Sequence, residues 1–566
     1  MNYRRFKYEG WLYGLAFLLA LGLRLIGLGA MSLNDAEASL ALQALHLAQG
    51  LRPALGPHPA YILFTMPLFF LYGGGTNFLA RIVPALVGSA LVFAPFLFAD
   101  RLKPRPSLLL AIFIALDPGL TAISRQAGSP ILAITFLVVA LGFLNQNKPR
   151  LAGIFGGLAI LGGPAIWPGL IGLAITWAIY QAAQPRIFSA DQDDDLQPVA
   201  FDPKEILVPL AITFFIAGTL FFIVPNGLSA ALSSIPAYLG GWIVPSNIHI
   251  SWLLLALPVY EPFAILLSII AIIRGWSNGS RRVIPLSIWL AVSLLLAIFF
   301  PSHQIADLAW TLIPLLALSG LELARYLDVR FDERRETFGA IGLTVFLWIF
   351  GWLNFTSLVW LAPGQAGYSL RLGLVVGSLL LLIFSLLLVA FGWSVRIAQL
   401  GAVWGLGLGL GVFMLAGTIG SSGLHGLSHP ELWWPQNIPA QAQLLDATVD
   451  DLSNWGRGYA NAVPVIIVGV DSPALEWALR DHQPSFVKTL DVTSAPEIVI
   501  TNFAGDPNLA ATYRGQDFTW RLTTSWELAQ PQNWLRWLVY REMTQTGESI
   551  ILWAREDLFL NSKVRP

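Results

Sequence analysis

The chain has 566 residues, 55% of them hydrophobic and only 12% charged, with a formal net charge of −1. With many apolar runs near twenty residues, that balance describes a polytopic α-helical membrane protein, not a string of soluble domains. The near-neutral charge argues against a nucleic-acid partner. The lack of cysteine excludes disulfides, thiolate metal sites and cysteine nucleophiles.

Arg4, Arg5 and Lys7 precede the first apolar run, Trp11–Ala30. The run is too long for a signal peptide and no A-x-A site follows, so it reads as a retained span. Just beyond it, Met31–Ala38 carries two carboxylates, Asp35 and Glu37, at a membrane–water boundary. Asn34 as N-cap and Glu37 three residues later predict a capping box opening a helix that runs through Ala48. Asp35 and Glu37 are two residues apart and point in different directions on that helix, so one caps while the other is left to face a substrate. Residues 60–73 are apolar but short and aromatic, and read as a helix lying at the interface.

Further spans are expected at 79–99, 107–123, 129–145, 151–166, 167–184, 206–224, 251–273, 284–299, 308–323, 338–360, 370–393 and 400–420, about thirteen with the first. A cytoplasmic N-terminus puts Arg101, Lys103, Arg105, Lys148, Arg150, Arg274, Arg281, Arg282, Arg325, Arg330, Arg334, Arg335 and Arg396 in inside loops. Outside loops then hold few basic residues, chiefly Arg52, Arg81, Arg125 and Arg371, as the positive-inside rule requires. The acidic stretch Asp191–Asp195 falls inside, which the rule permits because it counts lysine and arginine only. The expected location is the plasma (inner) membrane, with everything after residue 420 outside. From about Gly423 the apolar runs stop, and strand-like segments at 463–470, 497–501, 518–522 and 549–554 alternate with helical ones at 474–481 and 534–544. The expected division is a transmembrane part, 1–422, and a small extracytoplasmic α/β domain, 423–566.

Ionisable residues at membrane depth are costly unless paired or hydrated, so each is a functional candidate. The outer face collects His46, Arg52, His58, Arg81, Asp117, Arg125, Glu261 (within Tyr260-Glu261-Pro262), His303 and Asp307. Each has a plainer reading. Arg81 and Arg125 snorkel to headgroups, His58 and His303 are interfacial polar residues, and Glu261 satisfies backbone freed by Pro262 or lines an aqueous cavity. The sharper reading is transfer from an anionic lipid carrier. A phosphate leaving group needs the planar fork of arginine, and an acceptor hydroxyl needs a carboxylate base. The spacings mark no metal site and no Ser-His-Asp triad.

The order of these motifs resembles the GT-C superfamily of polyprenyl-phosphate-sugar glycosyltransferases, in particular the glycosyltransferase 39 group of protein O-mannosyltransferases and lipid A aminoarabinose transferases. The matching stretches are Asn34-Asp35-Ala36-Glu37-Ala38, His58-Pro59-Ala60-Tyr61 through Gly73, Arg81-Ile82-Val83-Pro84-Ala85-Leu86 and Ser124-Arg125-Gln126-Ala127, and Tyr260-Glu261-Pro262 is similar to an Agl23-like subgroup. They cover residues 1–145; the remainder is similar by topology only. The resemblance implies an inverting single displacement at the outer face, with a polyprenyl-phosphate-linked sugar as donor and the acceptor (protein, lipid or glycan) unspecified. It implies a catalytic carboxylate at Asp35 or Glu37 and basic residues on the lipid phosphate. The usual adjacent Asp-Glu pair is split here, and either acid fits the catalytic position. Asp35 is favoured, because Glu37 has the capping task and the helix dipole keeps an acid at the first helical position ionised. Arg81, Arg125, His58, Glu261 and His303 are the expected substrate-binding residues. Metal use varies in the superfamily, so a divalent cation is compatible but no bound metal is expected. A lipid-linked saccharide transporter and a non-catalytic scaffold for envelope glycan assembly are the competing readings.

Overall fold

Proline sets how the apolar runs become helices. In the computed structural model, which describes residues 9–187, 202–328, 333–491, 493–502, 509–527 and 530–560, the expected span over 107–123 is broken. It divides at Asp117 into Pro104–Leu116 and Pro118–Ser124, bent by 57°. The span over 251–273 divides at Glu261 into Ile250–Tyr260 and Pro262–Ser277, bent by 88°. Pro118 and Pro262 lack an N–H and push the preceding residue out of the helical region, so each helix stops at the acid before the proline. Arg4, Arg5, Lys7, Arg330 and Asp191–Asp195 lie outside the described residues.

Fewer helices reach the length of a straight crossing than the hydropathy count of about thirteen. Among the described residues six helices are long and apolar enough to cross a membrane: Asn77–Leu97, Ile166–Gln184, Ile305–Tyr326, Arg334–Leu358, Tyr368–Gly392 and Val395–Ser421. Counting each bent pair as one span gives eight. Four more apolar helices, Pro59–Tyr72, Ile131–Asn145, Pro149–Ile160 and Val283–Phe299, are shorter than the ~20 residues of a straight crossing. Hydropathy reads apolar length, whereas Pro and Gly decide whether that length is one helix. A helix at Asn226–Gly240 was not expected from hydropathy, because its serines and glycines dilute the apolar signal. The chain is a polytopic helical membrane protein.

The first four helices are α1 (Glu9–Leu25), α2 (Asp35–Ala48), α3 (Pro59–Tyr72) and α4 (Asn77–Ala90), and α2 and α3 lie at the end of the bundle that meets the C-terminal region. The predicted capping box is present, with the Asn34 side chain accepting from the Ala36 and Glu37 N–H groups and Glu37 reaching back to the Asn34 N–H. α2 buries Ala38, Leu40, Ala41, Leu42, Ala44, Leu45 and Leu47. These side chains share a core with α3 and with the C-terminal sheet, through Val465, Ile467, Ile498, Ile500, Phe518 and Trp520. The helix is therefore apolar on nearly every side because it is sandwiched, not because it enters lipid.

That sheet has six strands in the order β1-β5-β6-β4-β2-β3: β1 (Ile438–Pro439), β2 (Val465–Val468), β3 (Ser485–Val487), β4 (Ile498–Thr501), β5 (Tyr513–Thr524) and β6 (Gln545–Arg555). β2 runs parallel to β3 and β4, while β6 pairs antiparallel with β4 and β5. The four expected strands correspond to β2, β4, β5 and β6. The short edge strands β1 and β3 carry too little periodicity to be read from sequence. Helices at Pro473–Ala478 and Pro531–Tyr540 take the places of the two expected there.

A tryptophan cluster joins this sheet region to the bundle. Trp526, Trp534 and Trp537 lie with ring centroids 5.1–5.6 Å apart, and Trp526 meets Trp252 of the Ile250–Tyr260 helix at 6.4 Å. Trp537 is fully buried and donates its indole N–H to the Pro430 carbonyl at 2.7 Å. Trp537→Ala should therefore destabilise the protein by about 3–5 kcal/mol, the usual cost of emptying a large aromatic site. The check is a detergent melting curve, compared with exposed Trp455→Ala, which should change little.

Candidate active site

The site begins where α1 ends. The last carbonyls of a helix have no partner of their own, and here Arg125 supplies one. Its Nη1 donates to the carbonyls of Leu23 (3.1 Å), Arg24 (2.8 Å) and Ile26 (2.8 Å). Arg125 is itself the C-cap of the short Pro118–Ser124 helix, so one guanidinium ties two helix ends together. Its Nε and Nη2 have no acceptor among the described residues.

Glu37 is the opposite case. Oε1 accepts from Arg81 Nε and the Ala127 N–H, both at 2.9 Å. Oε2 accepts from Arg81 Nη2 at 2.6 Å and from Asn34 through its amide Nδ2 at 3.0 Å and its backbone N–H at 3.3 Å. Five donors leave the carboxylate no lone pair to spare. Arg81 is equally committed. Besides Glu37 it donates to the carbonyls of Met31 (2.7 Å), Ser32 (3.1 Å) and Leu28 (3.4 Å), so all five of its N–H groups are used. Both side chains are buried, which makes this a charge-assisted fork in a poorly solvated place.

Asp35, two residues earlier in the same turn, faces the C-terminal region. Its Oδ1 accepts from the Ser472 hydroxyl at 2.5 Å and the Ala474 N–H at 3.1 Å, and its Oδ2 from Arg521 Nη2 at 2.7 Å. Its side chain is 30% exposed, against 3% for Glu37. A small cleft runs beside these groups, lined by Glu37, Arg81, Arg125, Gln126, Ser422 and Trp434 among others, but not by Asp35. Its volume of about 30 Å³ admits a water molecule and falls far short of the ~300 Å³ of a ligand pocket.

The other expected residues stand elsewhere, and none of them lines the cleft. His58 precedes α3 and wedges against Gly163 and Gly128; burial pushes its imidazolium down to about 4, so it is neutral. His303 places its two ring nitrogens against the carbonyls of Phe300 (2.9 Å) and Ile248 (2.8 Å), tying two loops. Glu261 and Asp117 come together from the two helix breaks, carboxyl facing carboxyl, beside the buried Arg24. Asp117 also caps the Pro118–Ser124 helix through the Leu120 N–H at 2.6 Å. Next to this pair, Tyr260 donates to Glu431 and accepts from the Leu432 N–H at 3.0 Å. Glu431 pairs with Arg541 at 3.3 Å, and burial raises its carboxyl to about 7. Among the described residues no group of three or more His, Asp or Glu side chains is arranged to hold a metal.

Sequence reading missed Ser472, Arg521, Glu431 and Arg541, which reach the site region from more than a hundred residues away. Only the Asp471-Ser472-Pro473 helix-start pattern hinted at the first.

No protein-family profile matches the sequence, and no curated protein matches it. Solved structures do. They match in fold alone. The fold is similar to that of ArnT from Cupriavidus metallidurans bound to undecaprenyl phosphate, with a TM-score of 0.54 at 14% identity over 97% of this chain and 99% of that one. The apo state of the same protein matches with a TM-score of 0.50 at 12% identity over 87% and 93%.

Two outcomes follow from the geometry. Arg81→Ala strands the buried Glu37 carboxylate and should cost about 3–5 kcal/mol, the usual penalty for breaking a buried pair from one side, read as a lowered melting temperature. For Glu431 the folded group binds its proton more tightly than an unfolded carboxyl, so its contribution is fully present at acid pH and is lost as pH rises towards and through about 7. Melting temperature should fall over that window in the parent, and the component due to this group should be absent in Glu431→Gln.

Proposed function

We propose that the chain is a membrane glycosyltransferase that moves a sugar from a polyprenyl-phosphate carrier to an acceptor hydroxyl at the outer face of the membrane. One observation carries most of this reading. An arginine with half of its guanidinium uncommitted lines a cleft, in a chain whose fold matches end to end a protein holding undecaprenyl phosphate. In this reading Arg125 takes the carrier phosphate with Nε and Nη2, a planar fork suited to two phosphate oxygens.

The reaction is a single displacement with inversion. The acceptor oxygen forms its bond to the anomeric carbon as the bond from that carbon to the phosphate oxygen breaks, the electron pair staying on the phosphate beside Arg125. The acceptor proton passes to Asp35, which does not line the cleft, so the acceptor approaches from the side of the α2 start that Arg521 flanks. Asp35 is the better base of the two acids because Glu37 has no free lone pair, whereas Asp35 Oδ2 holds a single donor. Glu37 and Arg81 then act as positioning residues: through the Ala127 N–H they fix the loop that carries Arg125. The sugar, assigned to the hexosyl type, and the acceptor are left open by these residues. The topology belongs to the same proposal: N-terminus cytoplasmic, residues 423–566 a separate outer domain, cleft outside.

The experiment is binding of undecaprenyl phosphate to the purified protein in nanodiscs. Losing a charge-assisted contact of about 1.5–3 kcal/mol should weaken binding by about 10- to 100-fold in Arg125→Ala. Arg125→Lys keeps the charge but not the fork and should also bind more weakly than the parent. Parent-like binding by both variants removes Arg125 from the phosphate site. For sidedness, protease added to sealed right-side-out vesicles should remove the chain after residue 423, and protection of that segment would overturn the topology.

A further inference from the structure

We propose that Ser472 and Arg521, both in the C-terminal sheet region, are positioning residues for Asp35, so that the catalytic site is assembled from both ends of the chain. This rests on the reading of Asp35 as the base.

The two oxygens of Asp35 are treated differently. Oδ1 takes two donors, the Ser472 hydroxyl and the Ala474 N–H, and is held in place. Oδ2 takes Arg521 Nη2 alone and belongs to a side chain that is 30% exposed. A carboxylate anchored through one oxygen, with the other holding a single donor and a lone pair to spare, is what a positioned base requires.

Ser472 has little freedom to do anything else. It is 1% exposed, and its oxygen accepts from the Leu475 N–H (3.3 Å) and from the Trp520 indole N–H (3.3 Å). With both lone pairs engaged, its one O–H is directed at Asp35. Arg521 is aimed with similar care. It lies at the irregularity in the β5–β6 ladder between Thr519 and Arg521, and bulges of this kind turn a side chain away from the regular strand direction. Its Nη2 also reaches the Asp471 carbonyl at 3.4 Å, while Nη1 faces Glu548 at 3.7 Å.

The contact is backed by a rigid seat. Trp477 donates to the Asn77 side chain at 2.8 Å, and Arg480 donates to the Gly75 carbonyl at 3.1 Å. A Cβ on Gly75 would come within 2.5 Å of the Trp477 ring, so the turn between α3 and α4 is pressed directly against the sheet region. With the hydrophobic core shared by α2, α3 and the sheet, this fixes Ser472 and Arg521 relative to the first turn of α2.

In the transfer step the acceptor O–H proton goes to Oδ2 while the acceptor oxygen bonds the anomeric carbon and the carrier phosphate departs with the electron pair of its bond. Arg521 and Ser472 neither donate nor keep that proton. They hold the carboxylate in its rotamer and keep Oδ2 turned outward.

The test uses full-length protein in nanodiscs and whichever undecaprenyl-phosphate-linked hexose the parent turns over, with Arg521→Ala, Arg521→Lys and Ser472→Ala made singly and in an Asp35→Asn background. Removing an orienting partner of this kind should lower kcat about 10- to 100-fold. Donor KM and undecaprenyl phosphate binding should stay near parental, and Arg521→Lys should recover part of the loss. In Asp35→Asn the same changes should cost nothing further. Parental or faster turnover by Arg521→Ala would overturn the proposal, faster turnover meaning that the contact restrains the base. So would losses that multiply in the Asp35→Asn background, which mark a purely structural role. If Asp35→Asn alone turns over like the parent, the assignment of the base has failed, and the proposal falls with it for that separate reason.

Discussion

The end of the bundle that meets the C-terminal region depends on one buried ion pair. Glu37 and Arg81 form a two-point fork, and between them they engage the backbone at Leu28, Met31, Ser32, Asn34 and Ala127. Those five positions span the α1–α2 connection and the loop after Arg125, the two segments that border the cleft. Ion pairs at such burial often gain little net stability, because desolvation offsets the attraction. What this one supplies is a fixed arrangement: every donor on Arg81 and every lone pair on Glu37 is used, so neither side chain has a second low-energy partner.

With that frame set, the two acids of the motif separate by task. Glu37 is turned inward to the membrane bundle, and Asp35 is turned outward to the sheet region. The helix carrying both is itself a shared core element, its leucines and alanines packed between α3 and the Pro473–Ala478 helix that lies on the sheet. The sheet region is thus bonded to the same helical turn that holds the bundle. Further tethers run from Gln126 to the Trp433 carbonyl at 2.8 Å and from Glu431 to Tyr260 and Arg541. The cleft at the centre of these ties has a volume of about 30 Å³.

Local chemistry was legible in the sequence and long-range pairing was not. Asn34 and Glu37 announced their capping box because both partners sit within four residues. The aromatic run 60–73 announced a short helix, and Val465–Val468 and Ile498–Thr501 announced strands. Two of the expected spans are bent pairs because Pro118 and Pro262 end helices inside apolar runs, and several others are helices shorter than a straight crossing; a hydropathy window averages over both. At the site, the residue types pointed to anion binding at Arg81 and Arg125. Nothing local shows that Arg81 is consumed by Glu37 and three carbonyls while Arg125 keeps two nitrogens open. Asp35 and Arg521 are 486 positions apart, and no periodicity or spacing rule reaches so far.

The central claim is that Asp35, not Glu37, takes the acceptor proton in sugar transfer from a polyprenyl phosphate. The measurement is the rate at which undecaprenyl phosphate is released from an undecaprenyl-phosphate-linked hexose by the parent, Asp35→Asn and Glu37→Gln in nanodiscs. The account predicts turnover by the parent, a loss of about 10²-fold or more in Asp35→Asn with carrier binding intact, and a much smaller loss in Glu37→Gln. Parental rates in Asp35→Asn beside a dead Glu37→Gln, or no turnover by the parent across a panel of such donors, would contradict it.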